Sequence, residues 1–232
     1  MFGNFGRALL GLLLVAGIVL VLGNRATAAA TGRDGALPSP IVDEALAPAK
    51  GEQTAVFAGG CFWGIQAVFQ HVKGVKSAIS GYAGGTAPSP SYEEVSSGST
   101  GHAESVRVVY DPSQVTYGQL LRVFFSVGHD PTQKNRQGPD VGTQYRSAIF
   151  YTNDSQKRIA TAYIDQLTTA KSFSRPIVTE VSALSGFNVA EAYHQDYATL
   201  HPYDPYIVIN DAPKVAALKR ELAVLYTEPV KR

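Results

Sequence analysis

One thiol stands out in the chain. Cys61 lies in the run Ala58-Gly59-Gly60-Cys61-Phe62-Trp63-Gly64, two residues from Trp63, and these are the sole cysteine and the sole tryptophan among 232 residues. A single cysteine excludes an intramolecular disulfide and a cysteine-based zinc site, which needs several thiolates or histidines at tight spacing. The five histidines (His71, His102, His129, His194 and His201) show no close ligand-type pair. Two roles remain for Cys61: an inert small hydrophobe of the core, or a nucleophile.

Its surroundings favour the nucleophile. The apolar run before it reads as a short strand ending in glycines. After it, Ile65, Val68, Phe69 and Val72 recur at spacings of three and four, which predicts a helix. Cys61 then falls at the first turn of that helix. Exposed N–H groups and the positive end of the helix dipole stabilise an anion there, which predicts a lowered thiol pKa. Phe62 and Trp63 read as walls of an apolar pocket; their plain alternative is core packing on the same helix.

Polar groups able to assist are spread along the chain. Tyr82 sits in a glycine loop, Glu104 at the start of a strand, and Asp140 and Tyr145 at a loop-to-strand junction; His194 and Tyr197 fall on what reads as one helical turn. A carboxyl beside an apolar pocket has a raised pKa and can donate a proton at neutral pH. Taken singly, each has an ordinary reading: half-buried tyrosines, a solvated Glu104, a turn or cap Asp140, a satisfied core histidine.

These groups need a scaffold. With 45% hydrophobic and 17% charged residues, the composition is that of a globular protein. A net charge of +1 without runs of like charge leaves no footprint for nucleic acid. Arg7, the uncharged apolar run 8–23 and the small residues at 26–30 have the three-part form of a secretory signal peptide, or of an uncleaved membrane anchor. Residues 1–30 are therefore expected to export the chain to a periplasmic or other extracytoplasmic place, with a membrane attachment only if they are retained. Residues 31–52, rich in Pro, Ala and Gly, read as a linker or extended arm, and 53–232 as the catalytic domain. Within it, short strands alternate with helices over 154–171, capped by Asp154, and over 213–226. The expected fold class is α+β: a compact two-layer sandwich, a mixed sheet with helices packed on it, and long irregular C-terminal segments.

The motifs spell something more specific. GGCFWG, GYAGG, YEEV..G.TGHAE.V.V.YDP, HDPT..N.QG.D.GTQYRS and AE.YHQ.Y occur in that order. From Ala55 to Tyr226 the chain resembles the A-type peptide methionine sulfoxide reductases. The resemblance implies that Cys61 attacks the sulfoxide sulfur of methionine S-sulfoxide, free or in peptides. It implies that Phe62 and Trp63 cage the methyl group, that Glu104 protonates the oxygen, and that Tyr82 and Tyr145 hydrogen-bond it. Asp140 lines the site, with His194 and Tyr197 close by. The products are methionine and a sulfenic acid on Cys61. A monomer without a cofactor is expected. Many family members carry further cysteines that resolve the sulfenic acid; this chain has none, so a thioredoxin, a glutaredoxin with glutathione, or a small thiol must do so. Pro139 and Asn188 depart from the family's usual residues without removing a group that has a role. A thiol hydrolase using His102 or His194 as base, and a pocket that binds oxidised methionine without turnover, are the competing classes.

Overall fold

A computed structural model describes residues 35–88 and 90–229; the signal or anchor segment lies outside the described residues. Six strands form one sheet: β1 (Gln53–Gly59), β2 (Val75–Ala83), β3 (Ala103–Tyr110), β6 (Ser147–Tyr151), β7 (Glu180–Ala183) and β8 (Phe187–Val189). Their spatial order is β7-β6-β1-β3-β2-β8. All neighbours are antiparallel except β6 and β7. A parallel pair needs a crossover, and helix α4 (Asp154–Thr169) supplies it. The sheet is therefore mixed, as the α+β reading requires. The N-cap of α4 is Asn153, whose side chain accepts from the Gln156 N–H at 2.9 Å. Asp154, expected as the cap, stands instead in the first turn.

Helices α1 (Phe62–Gln70), α3 (Tyr117–Val123), α4 and α6 (Ala212–Glu221) cover one face. Alternation along the strands selects what they bury. Val106, Val108 and Tyr110 of β3 and Phe57 of β1 join Ile65, Val68 and Phe69 of α1 in a single cluster. A smaller cluster around Val56, Ala58, Ala148 and Phe150 occupies the other face. Short helices α2 (Tyr92–Ser96) and α5 (Tyr197–Leu200) and the two-stranded hairpin β4 (Arg136–Gln137) and β5 (Asp140–Val141) frame one end of the sheet. Beyond Glu221 the helix expected to run to Tyr226 has already stopped, and Leu222 and Leu225 complete the core from turns.

The described part of the expected linker is a packed strap. Residues 36–52 have no regular secondary structure, yet Leu37 is 2% exposed. Its N–H donates to Ser126 Oγ at 3.1 Å and its carbonyl accepts from Arg122 Nε at 2.7 Å. Tyr163 donates to Pro38 O, Gln166 brackets Ser39 and Ile41, and Asp43 accepts from Gly118 N–H and Thr116 Oγ1. An extended segment has its backbone groups free, and here helices α3 and α4 satisfy them.

Candidate active site

Cys61 is the N-cap of α1, reached through Gly60 at φ +91°. That left-handed conformation suits glycine. Space matters too: a Cβ at Gly60 would lie 2.5 Å from Gln137 Cβ. Cys61 is 8% exposed. It looks into a pocket of about 60 Å³ bounded by Val127, His129, Gln137, Asp140, Tyr206 and Lys214, among others. Two π-helical turns, Phe124–Gly128 and Ile207–Asp211, both contribute to its wall. Such turns are uncommon and cluster at functional sites.

The position at the helix start was expected; its effect on the thiol is different. Burial pushes the Cys61 thiol well above its ordinary pKa, and the carboxyls of Glu104 and Asp211 push the same way. The Trp63 N–H and Lys214 act in the opposite sense and lose. Desolvation of a charge outweighs one backbone N–H. Cys61 is therefore held as a thiol.

Glu104 occupies a position where the β3 pattern would place a hydrophobe. It shares a face with Val106 and Val108, under α1, and is 3% exposed. Its Oε2 accepts the Phe62 N–H, one of the unpaired donors of the α1 first turn, at 3.0 Å. Burial raises its pKa to about 8 against that hydrogen bond, with Asp140 and Asp211 adding to the rise. A neutral carboxylic acid next to Cys61 at neutral pH is the result.

Tyr82 lies directly across from Glu104 in the β2–β3 register. Its hydroxyl, however, is engaged: it donates to Glu191 Oε2 at 2.8 Å, and the other oxygen of Glu191 accepts the Tyr92 N–H at 2.9 Å. The expectation that Tyr82 meets the substrate oxygen is corrected on this ground. Glu191 holds Tyr82 and locates Tyr92, the first residue of α2. Tyr92 and Tyr145 are both half-buried near Glu104, Cys61 and Asp140, and both phenols are raised, first of all by burial. Both phenols therefore lie in the electrostatic neighbourhood of Glu104 and Cys61; Tyr92, which heads the quoted YEEV run, is not among the residues the sequence reading singles out.

The aromatic wall is as expected and larger. Phe62 is buried against His194 at 5.0 Å and Tyr82 at 5.9 Å. Trp63 stacks on Tyr197 at 3.8 Å and meets the edge of Tyr206 at 5.9 Å. His194 and Tyr197 belong to two short helices rather than one turn, since Asp196 at φ +57° separates them. His194 Nδ1 accepts from the Trp63 indole at 3.2 Å, so its proton is on Nε2; burial lowers its pKa and keeps it neutral. Tyr206 donates to Asp140, whose pKa is raised by burial.

The C-terminal segment adds two residues without a motif. Asp211, 1% exposed, accepts from Lys214 Nζ at 3.0 Å. The pair packs on Gly64, where a Cβ would come within 2.1 Å of Asp211 Oδ1. That is the reason for the last glycine of the opening run.

No histidine is available to activate Cys61 as in a thiol hydrolase. His102 is spent on Gly85 N–H and Ala87 O, and His194 on Trp63. His129 in the pocket donates to Phe124 O and accepts from Ser147, with its pKa lowered to about 4 by burial. Among the described residues no group of three or more His, Cys, Asp or Glu is placed to hold a metal ion.

The α+β sandwich thus sets one buried thiol at a helix start against a neutral acid, inside an aromatic wall. Residues 53–224 match the family model of peptide methionine sulfoxide reductase, and the chain belongs to that family. It is 62% identical over 187 residues to the peptide methionine sulfoxide reductase MsrA 2 of Mesorhizobium japonicum, covering 81% of this chain and 95% of that protein. The MsrA 2 of Synechocystis is 52% identical, covering 80% and 87%. Among solved structures, methionine sulfoxide reductase A of Corynebacterium diphtheriae aligns with a TM-score of 0.58 at 37% identity, over 77% of this chain and 91% of that one. Reduced Mxr1 of Saccharomyces cerevisiae gives 0.60 at 31%, over 73% and 96%. The chain is a peptide-methionine (S)-S-oxide reductase, which returns oxidised methionine to methionine and so repairs oxidised proteins.

Proposed function

We propose that Cys61, Glu104, Tyr92 and Tyr145 carry this reaction. The observation that supports it most is the Glu104 carboxyl, kept neutral up to about pH 8 and hydrogen-bonded to the N–H next to the thiol. The substrate methyl lies against Phe62 and Trp63, with His194 and Tyr197 fixing the indole, and Asp140 borders the polar side. Glu104 gives its proton to the sulfoxide oxygen as the Cys61 sulfur attacks the substrate sulfur. The proton of the thiol passes to the Glu104 carboxylate that this transfer leaves behind, so the acid is restored. The hydroxyl then passes from the substrate sulfur to the Cys61 sulfur: the substrate sulfur–oxygen bond and the sulfur–sulfur bond break, a sulfur–oxygen bond forms on Cys61, and methionine leaves behind a Cys61 sulfenic acid. Negative charge grows on the oxygen during the attack, and preorganised phenol donors lower that barrier. An external thiol (from a thioredoxin, a glutaredoxin with glutathione, or a small molecule) resets the enzyme, with no cofactor and no second copy of the chain required.

Phenylalanine substitutions test the assignment. Tyr92→Phe and Tyr145→Phe are each expected to slow single-turnover methionine formation by about 10²-fold, the cost of one lost donor to a developing oxyanion. Tyr82→Phe removes a bond to Glu191 rather than to substrate, and its rate is expected to fall less. A ranking in which Tyr82→Phe is slowest would return the donor role to Tyr82.

The same reading has the chain exported, with residues 1–30 as signal or anchor. Its support is the charge-free run 8–23 followed by small residues. Mass spectrometry of the N-terminus of protein from the native cell envelope is expected to find a start at residue 29 or 31, after Ala28 or Ala30, or Met1 in the membrane fraction if the segment is kept; full-length protein in the cytosol counts against export.

A further inference from the structure

Hairpin β4–β5 separates two recesses. On one side is the Cys61 pocket, to which Gln137, Gly138, Pro139 and Asp140 contribute. On the other is a groove of about 280 Å³ bounded by Thr132, Gln133, Lys134, Arg136, Gly138 and Arg175. Gly138 borders both. The hairpin is also tight against the thiol's own backbone, because Gln137, the neighbour of Arg136, packs on Gly60.

The groove is cationic in a chain whose net charge is only +1. Lys134, Arg136 and Arg175 are all exposed. Arg175 is partly offset by Asp130 at 3.2 Å. Arg136 donates to Gly138 O and shapes the turn. Neither Lys134 nor Arg136 forms an ion pair with a described residue. Inside the Cys61 pocket the remaining cation, Lys214, is held by Asp211. Positive charge able to receive a ligand therefore lies on the outer side of the hairpin, in a groove that shares Gly138 with the Cys61 pocket.

That second sulfur is obligatory, since the chain has one cysteine. Cys61 is 8% exposed at the end of a pocket of about 60 Å³. A slender thiol fits this approach better than the flat surface of a folded protein. We propose that Lys134, Arg136 and Arg175 bind the carboxylates of a small anionic thiol and present its sulfur to the Cys61 sulfenic acid. The proposal rests on the reading of Cys61 as the sulfenic acid carrier. The thiolate attacks the Cys61 sulfur, a sulfur–sulfur bond forms, the sulfur–oxygen bond breaks, and hydroxide leaves with one proton as water. A second thiol attacks the outer sulfur, releasing Cys61, which takes a proton. Two thiols end as one disulfide, and the sulfenic acid ends as a thiol.

The test uses the full chain, first converted to its sulfenic acid by one equivalent of methionine sulfoxide. Resetting rates, each divided by the thiolate fraction, are measured with 3-mercaptopropionate, 2-mercaptoethanol, cysteamine and glutathione. They are compared between wild type and a Lys134→Gln/Arg136→Gln/Arg175→Gln variant, with Lys134→Gln/Arg136→Gln as a second variant that spares the Asp130 pair. In the variants the two carboxylate thiols are expected to slow by about tenfold, the low end of what a charged cleft gives. 2-Mercaptoethanol and single-turnover methionine formation should be unchanged. The difference should fade at 1 M salt, where the screening length is about 3 Å. Equal variant effects on all four thiols would overturn the proposal. So would slower methionine formation from an acidic sulfoxide peptide with thiol discrimination intact, which would give the groove to the protein substrate. Failure of the wild type to form the sulfenic acid at all would instead remove the underlying reading.

Discussion

Cys61→Ser should form no methionine from a methionine sulfoxide substrate at any concentration of dithiothreitol, while remaining folded. The two halves of that result are linked by position. Cys61 is an N-cap that makes no side-chain cap hydrogen bond, and serine is among the favoured caps. The variant should therefore be as stable as the wild type or more so, by up to about 1 kcal/mol, in thermal unfolding. Its lost activity would then report the missing sulfur. The wild type without thiol should release one methionine per chain and stop, with dimedone labelling Cys61. Count alone dictates the stop, since no other cysteine exists to form a disulfide. Continued turnover by Cys61→Ser, or multiple turnovers by the wild type without a reductant, would remove Cys61 from its role.

Glu104→Gln should lower single-turnover reduction by about 10²–10⁴-fold, the usual share of a positioned acid, with little change in substrate affinity. Glutamine can still accept the Phe62 N–H, so the geometry survives. The pH dependence follows from a carboxyl raised by burial to about 8. The acid form is present below that pH, so the wild-type rate is flat through neutrality and falls as pH rises through about 8; the variant loses this inflection. Stability has its own sign. The folded state keeps a proton on Glu104 that the unfolded state has released above its ordinary value of 4.5. The fold therefore carries no such penalty at low pH, a growing one between 4.5 and about 8, and a constant one above. Glu104→Gln is expected to unfold at a higher temperature than wild type at pH 8, with the gap closing by pH 4. A wild-type rate that rises through pH 8, or a variant with full activity, would show that Glu104 is not the acid.

The parts legible in sequence were those with local period or fixed spelling. The spacing of Ile65, Val68 and Phe69 gave α1, and with it the place of Cys61. The alternation of Val106, Val108 and Tyr110 gave β3, and with it the inward side of Glu104. The thiol's ionisation was misjudged because helix position is visible in sequence while desolvation and the Asp211 carboxyl, 150 residues downstream, are not. Tyr82 and Tyr92 both stand in recognised runs. Only the partner Glu191 tells them apart, and it arrives from a distant turn. Asp211 and Lys214 had no signal beyond Gly64, whose need for space becomes intelligible only when the two are seen packed on it. The strap was read as a linker because its order comes from hydrogen bonds to α3 and α4 and not from any pattern of its own.

Those strap bonds also set a timetable. They join Leu37 to Arg122 and Ser126, and Pro38 to Tyr163, across sequence separations of 85 to 125 residues. Loop closure over such distances costs little more than over shorter ones, but the partner must exist first. During synthesis the strap is the earliest described segment to emerge, and its docking site is complete only when α4 has followed. Contacts this distant slow folding. The first described segment to be made thus stays undocked, with Leu37 uncovered, until α3 and α4 exist to receive it.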